Sequence, residues 1–169
     1  VFGRAPLALA LFLMFGMVAI MGAYAAAVGW ALARWLPRTG LAALLFVLPA
    51  AWTGMEWFRG WFLSGFPWLA VGYGQLDTWL AGYAPVLGVY ALSLAASTSA
   101  GALVAALVLR GRARWLALAA LAAVWLGGAA LRTVAWTRPS AAPVSVALVQ
   151  GAVSQDQKWQ AENREATLT

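Results

Sequence analysis

Glu56-Trp57-Phe58-Arg59-Gly60-Trp61-Phe62-Leu63-Ser64-Gly65-Phe66-Pro67-Trp68-Leu69 is the stretch on which the fold turns. It stands between two apolar runs long enough to cross a bilayer. Links between membrane helices are usually short and polar. This one carries Trp61, Phe62, Phe66 and Trp68 around a Gly-Phe-Pro-Trp turn, with an acid and a base at its start. Gly65 permits an unusual backbone angle, Pro67 fixes the next bend, and the rings suit the depth of lipid headgroups. A simple aromatic anchor in the interface explains the turn as well as a lipid-handling surface does. Tyr73, Gln75 and Asp77 follow as a polar patch, then Trp79 and Tyr83.

Glu56 and Arg59, three apart, share a helix face and can pair. A structural ion pair is one reading. The other gives Arg59 a phosphate headgroup, which suits a planar guanidinium.

Composition agrees with a membrane setting. Of 169 residues, 64% are hydrophobic and 9% charged, against about 25% charged in soluble domains. Cysteine and histidine are absent, which removes a thiol nucleophile, a thiolate metal site and the commonest general base. No metal site and no cofactor are expected. The net charge of +6 comes from arginines at the ends of apolar runs, so it reads as topology and not as nucleic-acid binding.

The expected fold class is an α-helical polytopic membrane bundle with four transmembrane helices, at 7–33, 41–58, 86–109 and 115–134. The first is roughly 40 Å long, more than the ~30 Å hydrocarbon core. Residues 1–138 form the membrane region, with 59–85 as an aromatic loop. Arg34 and Arg38 lie in one short link, and Arg110, Arg112 and Arg114 in another. The positive-inside rule puts both links in the cytoplasm. The aromatic loop and everything after Arg132 then face outward. Ala19, Ala23 and Ala27, Gly22 with Ala26, and Ala91, Ala95 and Ser99 make small-residue ladders suited to close helix packing. Trp30, Trp35, Trp115 and Trp136 sit near segment ends as interfacial anchors.

Residues 139–143 read as a linker, and 144–149 as a buried strand, β-branched and apolar on both faces. Ser154-x-x-Gln157 resembles a capping box opening a polar helix. The chain starts on Val and stops inside that polar stretch, so it is expected to be a piece of a longer protein. The span interiors hold no ionisable group. Ser93 and Ser97 to Ser99 are the only polar candidates for a transport path, and hydroxyls in helices more often bond back to their own carbonyls.

The order of features resembles one family, bacterial apolipoprotein N-acyltransferase. The matching residues are Glu56 to Trp61, Ser64 to Leu69, Gly72-Tyr73-Gly74-Gln75, Ala84-Pro85 with Gly88-Val89, and Val149-Gln150-Gly151 with Lys158-Trp159. The resemblance implies a bacterial inner-membrane enzyme with a helical bundle and a periplasmic, nitrilase-like αββα domain, of which 144–169 would be the start. It implies acyl transfer from a phospholipid, through a Cys thioester, to the amine of a diacylglyceryl-modified apolipoprotein. Membrane lipids, the phospholipid donor and the apolipoprotein acceptor are the expected partners. The family's Glu-Lys-Cys triad would lie downstream, so this stretch alone is expected to be inactive. Candidate substrate or lipid-binding residues are Trp159, Gly65, Phe66, Pro67, Trp68, Arg59, Glu56, Tyr73 and Gln75. A helical transporter or membrane assembly subunit with an outer accessory domain is the alternative.

Overall fold

The computed structural model describes residues 6–36, 40–62, 65–140, 144–148 and 150. These are helical or irregular, with no strand among them. The chain divides into two units, Met21–Arg138, and Val1–Ile20 with Pro139–Thr169.

Helix α1 runs Leu7–Trp35. A π-helical segment, Ala43–Val47, leads into α2, Leu48–Arg59. Two 3₁₀ turns, Val71–Gln75 and Trp79–Tyr83, precede α3, Ala84–Val108. Helix α4 is Arg112–Arg132. Among the described residues three stretches, Leu7–Trp35, Trp79–Val108 and Arg112–Arg132, are long and apolar enough to cross a membrane. Four transmembrane helices are expected; the run at 41–58 is helical but is not among these three.

The π segment has a local cause. Pro49 has no N–H, and its ring crowds the carbonyl four residues back. The turn before it widens, and the Leu48 N–H donates to the Ala43 carbonyl, five residues away. A second irregularity lies in α3, where Leu87 and Gly88 leave helical geometry and Gly88 takes φ +67°. Regular helix resumes at Val89.

Small residues set the packing. A Cβ on Gly101 of α3 would collide with the Leu44 carbonyl oxygen, so the π segment and α3 meet backbone to backbone. Leu44, Ala105, Ala106 and Ala117 form a buried cluster, with Leu41, Leu109 and Leu118 against it. The Ala91, Ala95 and Ser99 ladder is buried as expected. The ladders of α1 differ. Ala19, Ala23, Ala27, Gly22 and Ala26 are all exposed, and α1 buries no residue. Its half-buried face is instead Tyr24, Val28, Ala31 and Leu32. Bulk on that face fits the neighbour better than the alanines do: Tyr24 meets Phe58 edge to face at 6.3 Å.

In the smaller unit, residues 7–20 are helical, and 144–148 have no regular structure. The expected strand at 144–149 is therefore not formed over its described residues. Val144, Val146 and Leu148 stand exposed, and a strand exists only through a ladder with another. The expected helix after Ser154, with Lys158 and Trp159, lies outside the described residues, as do Arg38 and Ser64.

Candidate functional site

The site begins where α2 ends. The Gly60 N–H donates to the carbonyls of Glu56 and Trp57, and the Phe66 N–H reaches back to the Arg59 carbonyl at 2.8 Å. This closes a tight loop that only glycine fits at its turn. Gly65 has φ +79°, and a Cβ there would strike the Gly60 carbonyl oxygen. Leu69, at φ +65°, is the one non-glycine residue with a left-handed backbone among those described.

The chain then turns into the protein. Ala70 is buried and extended, and the 3₁₀ turn from Val71 lies directly on α3. A Cβ on Gly72 would meet the Val89 carbonyl oxygen and Leu92, so glycine is what allows this approach. The first amides of a helical turn have no acceptor within it, and at Gly72 burial excludes water as well. Side chains supply the acceptors. Glu56 Oε1 takes the Val71 N–H at 2.9 Å, and Ser93 Oγ takes the Gly72 N–H at 2.9 Å.

The second turn is tied to α4. The Thr78 hydroxyl donates to the Gln75 carbonyl at 2.9 Å and accepts the Leu80 N–H at 3.2 Å. Arg132 Nη1 donates to the Thr78 carbonyl at 3.3 Å, and the Tyr83 hydroxyl to the Val124 carbonyl at 2.8 Å. Leu80 is fully buried beneath these contacts.

Glu56 and Arg59 are both buried, at 2% and 7% exposure, yet they form no ion pair. Glu56 Oε1 is occupied by the Val71 amide and by Trp52 Nε1, at 3.0 Å. Glu56 Oε2 and Arg59 Nε find no hydrogen-bond partner among the described residues. The expected pairing is thus replaced by a carboxylate that serves the loop backbone. Phe58 stacks on Phe62 at 4.6 Å, and Trp61 meets Trp57 and Phe58 edge to face at 5.5 and 5.3 Å. Pro67, Trp68 and Tyr73 stand exposed, while Gly65, Phe66 and Gln75 are half-buried.

Ser93, read from the sequence as a hydroxyl bonding back to its own helix, takes a different partner. Ser99 does bond back to the Ala95 carbonyl, at 2.7 Å, and also accepts from Trp125 Nε1. Ser93 instead serves a loop twenty-one residues away. The available signal was the loop's own need: glycine-rich irregular backbone at membrane depth requires polar partners from neighbouring helices.

A family described as the apolipoprotein N-acyltransferase N-terminal domain matches residues 1–102, which include α1 to α3 up to Ala102 and the whole aromatic loop. The chain belongs to this family. The apolipoprotein N-acyltransferase of Methylococcus capsulatus is 44% identical over 158 residues, 90% of this chain and 31% of the relative. That of Azotobacter vinelandii is 45% identical over 172 residues, 99% of this chain and 33% of the relative. That of Vibrio cholerae is 36% identical over 168 residues, again 99% and 33%. The chain spans about a third of the length of the curated relatives it matches.

Proposed function

We propose that this chain is the membrane scaffold of an N-acyltransferase that moves an acyl chain from a phospholipid to the N-terminal diacylglyceryl-cysteine of apolipoproteins. The observation that carries this reading is the pinned aromatic loop, which lies inside the family-matched region and presents Pro67, Trp68 and Tyr73 outward. Donor and acceptor are both membrane-bound in this reaction. A site held at headgroup depth turns a search in volume into a search along a surface. The loop shapes the opening through which the acyl chain arrives, with Gly65, Phe66, Gln75 and Arg59 completing its frame.

The continuous helical run 41–59 acts as a fourth crossing. Nineteen residues reach roughly 28 Å, close to the hydrocarbon thickness. The arginine-rich links face the cytoplasm, and the aromatic loop faces the periplasm of a bacterial inner membrane. Residues 144–169 open the nitrilase-like catalytic domain. Covalent acyl transfer needs a nucleophile, and the thiol is supplied from beyond these residues, since none of them is cysteine.

The test is the complete protein in detergent with phospholipid and a diacylated lipopeptide. Triacylated lipopeptide is the expected product by mass spectrometry. Its absence from a folded, membrane-extracted preparation would overturn the activity.

A further inference from the structure

Two consecutive loop amides are held by side chains from two different helices. Glu56 of α2 takes Val71, and Ser93 of α3 takes Gly72. Glu56 is 2% exposed, and Ser93 and Gly72 are both buried, so water cannot replace the Ser93 acceptor. Trp52 fixes the carboxylate oxygen that does this. Immediately before the clasp stand Trp68 and Leu69, 67% and 76% exposed, and Tyr73 stands exposed just after it. One short stretch is therefore pinned on its inner side and apolar on its outer side. The left-handed backbone of Leu69 needs such support, because a branched side chain disfavours that conformation.

We infer that Glu56 and Ser93 are positioning residues, which set the depth of Trp68, Leu69 and Tyr73 at the membrane surface and thereby govern admission of the phospholipid acyl chain. Neither residue touches lipid. The role rests on the acyltransferase reading above.

The experiment uses the complete protein in nanodiscs, with two readouts on each variant. Hydrogen–deuterium exchange reports peptides covering 66–76, and acyl transfer is measured against phospholipid content. Ser93→Ala should speed exchange in that peptide and raise the apparent KM for phospholipid roughly tenfold, a factor of the order one lost buried hydrogen bond carries. The kcat per folded molecule should hold. Ser93→Thr keeps the hydroxyl and should recover both readouts. Glu56→Gln keeps an acceptor oxygen and should behave as the unmodified protein, whereas Glu56→Leu should behave as Ser93→Ala. Ser99→Ala, on the same helix but off the loop, should leave exchange in 66–76 unchanged. Unchanged exchange in Ser93→Ala overturns the clasp. Faster exchange with unchanged KM overturns the positioning role. Absence of acyl transfer by the unmodified protein would overturn the proposed activity, and the positioning role with it. The exchange readout would still decide the clasp, which keeps the two failures distinguishable.

Discussion

Gly82 of the loop and Gly128 of α4 meet backbone to backbone. A Cβ on Gly82 would overlap the Gly128 carbonyl oxygen, and one on Gly128 would lie 2.6 Å from the Trp79 carbonyl oxygen. Neither neighbour is a flexible side chain, so neither can step aside. Gly82→Ala or Gly128→Ala should cost about 1–3 kcal/mol by overpacking. Gly54→Ala, in open space on α2, should instead be neutral or stabilise by up to about 1 kcal/mol through helix propensity. Thermal melting in detergent distinguishes them, and equal melting of all three variants would refute the close approach.

Gly65 and Gly88 offer a second contrast. Both have positive φ, but only Gly65 has backbone where a Cβ would go. Gly88→Ala should meet only the backbone penalty of φ +67° with ψ −158°, about 1–3 kcal/mol. Gly65→Ala meets that and a collision, and should open the loop. Limited proteolysis between 60 and 76 should accelerate for Gly65→Ala and remain near normal for Gly88→Ala. The reverse order would mean that the turn at Gly65 is not the one described.

Topology can be read by impermeant thiol labelling, helped by a stretch that contributes no cysteine of its own. A cysteine replacing Arg38 or Arg112 should be protected in intact spheroplasts, and one replacing Trp136 should be labelled. Labelling at 38 or 112 would invert the orientation.

We propose that Trp159, which lies outside the described residues, serves substrate rather than the core of its own domain. An indole on the polar helix start expected from the sequence would need something to cover it. If that cover is the domain's own core, Trp159→Ala in the complete protein should cost roughly 3–5 kcal/mol. If it is substrate, melting should stay near normal while turnover falls, which is the outcome expected here. Melting and acyl transfer on one preparation decide between them.

The helices were legible because apolar length is a direct physical signal, written into runs such as 7–33 and 86–109. The aromatic loop was legible for the opposite reason, since Gly65, Pro67 and the rings around them break that signal in an unusual way. The partners of Glu56 were not legible. Helical spacing puts Arg59 on the same face, but the competing acceptor need came from Val71, fifteen residues on, and depended on how deep the loop folds. Ser93 was hidden by the same non-local geometry. The exposure of the α1 alanine ladders was equally beyond the pattern, because a ladder states what a helix can pack against and not where a neighbour stands.

The widened turn before Pro49 leaves the helix from Leu41 to Arg59 one residue out of phase. Leu44 and Glu56 are twelve positions apart, so an unbroken α-helix would set them about 120° apart around its axis. With one residue absorbed by the π segment, the effective separation is eleven, and the angle falls to about 20°. That shared bearing lets the same helix edge carry Leu44 against Gly101 and Glu56 toward the loop. The segment is therefore a length register as well as a bend. Removing one residue from Ala43–Val47 should shorten the helix yet keep both bearings, whereas removing one from 50–55 would swing Glu56 away from the amide it serves.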